Sequence, residues 1–201
     1  MKIHRKPAPH HIADLSTSSQ GRSSCVHVSG IIRAMASAHN LFPDSGVAPN
    51  PLALQNKFAV GFAWEEYCAR RFNLDPTFIH QPGEFLLDGI AMSPDGISLD
   101  PVTGGIILHE FKATWYSAAK PIQEHQTWIW QVMAYLAGLS AHYKEQCLDA
   151  IIHPMYMSGD YKANRHPIYQ PVRLEFDWEE IETNWKLMRS WQDRATPEEH
   201  K

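Results

Sequence analysis

Three polar side chains in the middle of the chain have the types and spacing for hydrolytic chemistry at a phosphate. Asp95 stands in the stretch SPDGI, and Glu110 and Lys112 stand two apart in IILHEFKAT. Between these stretches lies DPVTGG, a turn signal, so the two pair as an antiparallel hairpin. Centred between Val102 and Thr103, the hairpin sets Ile97 opposite Leu108 and Asp95 opposite Glu110. Directly opposed residues share one face, with Cβ atoms ~4.5–5.5 Å apart, and strand alternation returns Lys112 to the face of Glu110. Two carboxylates and one ammonium then converge. Carboxylates that close repel each other unless a cation sits between them, and hard, oxygen-seeking Mg2+ or Mn2+ suits them. Such an ion acidifies an attacking water and neutralises charge on a phosphate. Lys112 is placed to stabilise developing negative charge, and the backbone carbonyl of Phe111 offers a further oxygen. The bland alternative is that Glu-x-Lys is the solvated face of an edge strand and Pro-Asp-Gly an ordinary turn.

The flanking elements must hold that hairpin. Residues Val28 to Ala38 predict a short helix with Ser29 as N-cap, followed by a Pro/Gly-rich loop, FPDSGVAPNP. Leu52 to Phe72 predict a long helix, its apolar Phe58, Phe62, Tyr67 and Cys68 at roughly helical spacing and Gly61 an interior weak point. A further helix is expected over Gln123 to Leu139, strands over Cys147 to Met157 and Pro171 to Phe176, and a last helix opened by the capping box of Asp177 and Glu180. That order suits an α/β or α+β domain around one mixed sheet.

Composition bounds the rest. The chain has 201 residues, 44% hydrophobic and 20% charged, which fits one globular domain. Residues 1–24 are expected to form a poorly ordered arm and 25–201 a single domain. No apolar run approaches the ~18–20 residues of a membrane span and the N-terminus has no apolar signal-peptide core, so the cytoplasm is the expected compartment. Three cysteines, scattered and without CxxC spacing, argue against a disulfide framework or a zinc site. Twelve histidines form no HxxxH or HExxH pair. A net charge of −4 decides nothing about nucleic acid, because a local basic patch suffices.

SPDG followed by IILHEFKAT is similar to the core of the PD-(D/E)XK nucleases. Two further stretches strengthen the resemblance. Gln131 and Tyr135, the QxxxY of QVMAY, share one helical face and resemble the element marking the RecB-like and phage lambda exonuclease-like (YqaJ-type) branch. GFAWEEYCAR is similar to the upstream helix where that branch carries a metal-binding or metal-orienting Glu. Counting from Gly61 favours Glu65, and counting back from Ala69 and Arg70 favours Glu66. Helix neighbours point about 100° apart, so only one can face the site, and Glu65 is preferred. Asp88, in LLDGIA, is a competing acidic position, and His109 is expected to face away from Glu110.

The resemblance covers about residues 26–190. It implies a restriction-endonuclease-like fold, a central mixed sheet flanked by helices, and a metal-dependent deoxyribonuclease. It further implies an exonuclease of phage or bacterial recombination and repair, working beside a single-strand annealing protein and assembling as a homo-oligomeric ring around DNA. The alternatives are an endonuclease of the same fold, restriction-like or a resolvase, and a non-cleaving DNA-binding or assembly module. Candidate DNA contacts are Arg33, Arg70 with Arg71, Lys120, and Lys162 with Arg165 in SGDYKANRHP. Phosphate charge and base stacking would act there. Solvated loop cations are the equal alternative, and Trp115, Trp128 and Trp130 are expected to pack rather than stack on bases.

Overall fold

The computed structural model describes residues 23–41 and 50–195. Most of the expected arm and of the Pro/Gly-rich loop lies outside the described residues. Ser23, at the end of that arm, is tied down, its N–H donating to Glu84 Oε1 at 3.1 Å.

Strand β1 (Val26–His27) runs straight into helix α1 (Val28–Ala38), which buries Val28, Ile31, Ile32 and Met35. Ser29 does not cap it. The helix starts at Val28, so the N-cap is His27, two residues before Ser29, with no side-chain bond to the first turn. Helix α2 (Pro51–Phe72) has the better start: Asn50 Oδ1 accepts from Leu52 N–H at 3.0 Å, and Pro51 opens the first turn.

The large sheet is organised around a nine-residue strand. The short β2 (Ile79–His80) pairs antiparallel with β5 (Gly96–Leu99), and β5 with β6 (Ile106–Thr114). β6 runs parallel to β7 (Asp149–Tyr156), whose other edge takes β8 (Ile168–Tyr169) and β9 (Val172–Glu175) one after the other. The expected hairpin register is the one observed: Ile97 faces Leu108 and Gly96 faces His109. A parallel neighbour requires a crossover, and helix α3 (Gln126–Tyr143) supplies it between β6 and β7. α3 starts later than expected, because Ile122–Glu124 make a separate 3-10 turn, and it runs on to a left-handed Lys144. The closing helix α4 (Trp178–Trp191) carries the expected capping box of Asp177 and Glu180.

One mixed sheet was expected, but the described residues form two. β3 (Phe85–Leu87) and β4 (Ile90–Met92) make a hairpin through Asp88 (φ 52°) and Gly89 (φ 80°), and β1 adds in parallel to β4. Positive φ at both central residues is the geometry of the two-residue turn that Asp-Gly favours.

Two apolar clusters meet at the large sheet. The main core includes residues of α1, α3, α4 and both sheets, such as Ile31, Met35, Leu108, Val132, Leu136, Ile152 and Met188. A smaller cluster, Trp64, Cys68, Phe78 and Phe111, packs the C-terminal half of α2 onto the sheet's other face. Fully burying one such side chain stabilises by about 1.5–3 kcal/mol, so this cluster holds that half firmly. From Pro51 to Ala59 every residue of α2 is exposed, and this half stands clear of the core. Phe58, Phe62 and Tyr67, though at helical spacing, therefore do not form the packed face. They are 58%, 68% and 59% exposed, and the buried residues of the helix are Trp64, Cys68 and Ala69.

Candidate active site

β5 begins at Gly96, so beyond its paired residue His109 the edge of β6 has no strand partner on that side among the described residues. Asp95, one residue before β5, fills the gap: its Oδ2 accepts from the Phe111 N–H at 2.7 Å. A strand residue sends its N–H and C=O to the same edge, so the Phe111 carbonyl also faces the Asp95 side. Gly96 allows this close approach. A Cβ there would lie 2.7 Å from the Phe78 ring and 3.3 Å from the Ile79 carbonyl oxygen.

Glu110 and Lys112 leave β6 on the α3 side. Lys112 Nζ donates to Glu110 Oε1 through a short contact, and to Gln131 Oε1 at 2.9 Å. Gln131 Nε2 in turn donates to the Tyr135 hydroxyl at 2.9 Å. The i and i+4 positions on α3 thus act as one arm that holds the lysine. Asp95, Glu110, Lys112, Gln131, Tyr135, Phe111 and Glu65 all line a single open cavity of about 820 Å³.

The electrostatics of this cavity are unbalanced. Glu110 is 1% exposed and its Oε2 accepts no hydrogen bond from the described residues. Burial raises the Glu110 carboxyl above its ordinary pKa, partly opposed by Lys112. Burial, with Glu110 adding to it, raises Asp95 well above the usual carboxylate range. For Lys112, burial pulls downward, but Glu110 and Asp95 outweigh it and hold the ammonium above its ordinary value. One cation faces two crowded carboxylates.

α2 resolves the choice between its two glutamates. Glu65 faces the cavity, where its Oε1 accepts from Gln81 Nε2 at 2.8 Å and meets His80 Nε2 at 3.2 Å. Glu66 turns to solvent and pairs with Arg70 one turn on. Among the described residues no three His, Cys, Asp or Glu side chains gather into a ready-made metal cage. The candidate donors are the Asp95–Glu110 pair and a backbone carbonyl, and their hard oxygens and uncompensated charge fit Mg2+ or Mn2+.

The other predicted residues divide. Arg33 lines a small adjoining hollow of about 230 Å³ together with Ser29, Lys112, Thr127 and Gln131. Lys120 stands 5.7 Å over the ring of Tyr116, which lines the main cavity. Lys162 and Arg165 are exposed on a loop tightened by Asp160, whose Oδ1 accepts from the Lys162 and Asn164 N–H groups. Arg70 lines none of these cavities and is bound to Glu66. Asp88 is no competitor for Asp95: it sits in the β3–β4 turn, accepts from Trp185 Nε1 at 2.9 Å and pairs with Arg189. Trp128 stacks on His125 at 4.1 Å and is buried, and Trp130 is partly buried against the main core. Trp115 instead lines the cavity, 38% exposed.

Sequence reasoning missed Lys57 and Tyr116 in the cavity wall, and His80 and Gln81 behind Glu65. No local pattern marks them, since each arrives from a loop or helix face placed by the tertiary fold. A second cavity, of about 530 Å³, lies between the β3–β4 turn, α3 and α4. In its wall Trp178 Nε1 donates to Glu182 and Trp185 Nε1 to Asp88, and it holds none of Asp95, Glu110 and Lys112.

No family model and no curated protein matches the chain. Among solved structures it is similar to SSO0001, with 13% identity over 89% of this chain and 81% of that one and a TM-score of 0.48. It is similar to LHK-Exo, an alkaline exonuclease of Laribacter hongkongensis, in complex with dAMP, with 17% identity over 91% of each chain and a TM-score of 0.47. A phage-related exonuclease of Haemophilus somnus 129PT gives 13% identity over 91% of each chain and a TM-score of 0.46. These are distant likenesses of shape, and the chemistry rests on this chain's own side chains.

Proposed function

We propose that this protein is a divalent-metal-dependent deoxyribonuclease that hydrolyses phosphodiester bonds at Asp95, Glu110 and Lys112. The observation that carries the proposal is the crowded carboxylate pair, with Glu110 Oε2 buried and unpartnered and burial raising both groups. Asp95, Glu110 and the Phe111 carbonyl would hold Mg2+ or Mn2+, with Glu65 orienting from α2. When bound, such an ion polarises a phosphate oxygen and acidifies an attacking water.

The chain's own groups do the rest. Lys112 carries a positive charge beside the carboxylates, where it stabilises negative charge gathering on a phosphate oxygen. Gln131 and Tyr135 are positioning residues, because they hold the lysine at that point. Arg33 stands where a neighbouring phosphate of the same strand would lie. Lys120, Lys162 and Arg165 are phosphate contacts farther out, and Arg70, outside the cavity and paired with Glu66, would reach only a more distant part of the DNA; such contacts place a strand without reading its sequence. Exonuclease action in recombination or repair, a single-strand annealing partner and assembly into a ring belong to the proposal through the sequence resemblance alone.

The test is cutting of end-labelled linear duplex and of supercoiled plasmid, in Mg2+, in Mn2+ and in EDTA. Metal-dependent shortening of the linear DNA with the plasmid spared is the expected result, and the label position gives the polarity. Nicked or linearised plasmid makes the enzyme an endonuclease. Absence of cutting by folded protein in either metal overturns the proposal in favour of a non-cleaving module.

A further inference from the structure

The exposed half of α2 carries a pattern that normally marks a buried face. Leu54, Lys57, Phe58, Gly61, Phe62 and Glu65 follow the i, i+3, i+4, i+7, i+8, i+11 spacing of one helical face, and all six line the cavity of the carboxylates. Leu54, Phe58 and Phe62 nevertheless remain 43%, 58% and 68% exposed. The wall continues on other elements, with Trp115 and Tyr116 just after β6 and Tyr161 on the loop after β7, at 38%, 46% and 49% exposure. Lys57 Nζ reaches 5.8 Å over the Trp115 ring, so α2 and the segment after β6 approach each other there. Contiguous exposed apolar surface of this kind marks an interaction site.

What occupies it follows from where it leads. At the deep end of the face, Glu65 adjoins Asp95 and Glu110, the groups assigned above to a phosphodiester. A ligand filling the cavity therefore joins a phosphate on the floor to flat apolar groups along the wall, with Lys57 and Lys112 near its backbone. A single nucleic-acid strand has that composition, since every base offers a face for an aromatic ring. Paired bases inside a duplex already stack on their neighbours and have no face free. We propose that the aromatic face of α2, with Trp115, Tyr116 and Tyr161, stacks the unpaired bases flanking the scissile phosphate, so that the site takes single-stranded or frayed DNA. This inference rests on the nuclease proposal for the position of the phosphate.

The test compares binding of a fluorescein-labelled single-stranded oligonucleotide with that of the same oligonucleotide carrying a run of abasic sites, in Ca2+. Cutting of both is followed in Mg2+. Wild-type protein is expected to bind the intact oligonucleotide about tenfold more tightly, the scale of stacking one base on an aromatic ring. Phe58→Ala with Phe62→Ala should remove most of that preference, leave abasic binding unchanged, and raise KM while holding kcat. Phe62→Trp should keep it. Both phenylalanines are more than half exposed, so the variants should melt at the wild-type temperature. Equal binding of intact and abasic strands by wild type overturns the stacking proposal while cutting still supports the nuclease. Base-dependent binding without any cutting leaves stacking standing and removes the nuclease. A double variant that changes oligomeric state while binding DNA as before makes the face a contact between copies of this chain, and also overturns the proposal.

Discussion

The two faces of β6 bury polar groups at adjacent positions and treat them in opposite ways. On one face, Ser98 Oγ, His109, His153 and the Tyr169 hydroxyl form a continuous chain with contacts of 2.8, 2.9 and 2.8 Å. The two imidazole planes lie within 9° of each other, as an edge-to-edge hydrogen bond requires, and Trp64 Nε1 donates to the His153 carbonyl at 3.0 Å. With both imidazoles neutral, every link can be made in one direction of donation, and none of these nitrogens is left over. On the other face, Glu110 keeps a buried oxygen with no partner, next to a second carboxylate. Folding satisfies buried polar groups wherever it can. The first cluster is satisfied within the fold and holds strands together, whereas the second leaves an oxygen that the described residues do not answer. His109, adjacent to Glu110, belongs to the first kind.

The largest effect that would break this contrast is on activity. Glu110→Gln and Lys112→Ala should each lower cutting by about a hundredfold or more, with melting temperatures within a few degrees of wild type. Metal titrations followed by thermal melting sharpen the point, since Mg2+ should stabilise wild type and not Glu110→Gln. Wild-type cutting by either variant would remove these residues from the centre of the site.

On the satisfied face the penalty should fall on the fold instead. His109→Ala leaves Ser98 and His153 without their partner and opens a hole, at a cost of roughly 2–4 kcal/mol, measured by urea unfolding. Cutting per folded molecule should stay close to wild type. The pH dependence follows from the same burial. Burial lowers His109 to about 4 and His153, next to that ring, to about 3, against an ordinary 6.5. Both folded values lie below the unfolded one, so the unfolded chain takes up protons first as the pH falls through 6.5. Stability from this pair is full above that value and is lost on acidification, by about 1.4 kcal/mol per pH unit for each imidazole between roughly pH 6 and 4. Raised carboxylates such as Asp95 and Glu110 work in the other direction, favouring the folded state as they protonate. Unfolding free energies across that range for wild type and His153→Gln should differ in slope by one proton. Equal slopes would mean that the imidazoles are already charged in the fold.

Much of this architecture was legible where a local device fixes geometry. DPVTGG set the hairpin register that places Asp95 beside β6, the Asp177–Glu180 capping box opened α4, and the QxxxY spacing put Gln131 and Tyr135 on the face toward Lys112. What escaped notice depends on partners far away in the chain. β1 and β4 are too short for a period to be seen and pair across more than sixty residues. The Asp-Gly turn was visible as a hairpin signal, but its acidic residue drew attention as chemistry. In α2, periodicity marks the helix and its apolar positions but not which of them the fold covers. Counting from Gly61 points to Glu65, and Glu65 is the glutamate that lines the cavity, while the helix orientation set by Trp64 and Cys68 turns Glu66 to solvent.

The smallest expected effect separates the two sides by the room each leaves. Gly61 lies on the cavity face of α2, and a Cβ built there meets nothing within 4 Å. Gly96 lies under Phe78, where the same atom would collide with the ring. Alanine is the better helix former by about 0.8–1 kcal/mol, so Gly61→Ala should stabilise the protein by up to that amount. At Gly96 the same methyl should destabilise, by about 1–3 kcal/mol as overpacking does, and should disturb Asp95 beside it. If Gly61→Ala destabilises instead, the upper half of α2 is packed against something in solution, and its face is not open to a strand.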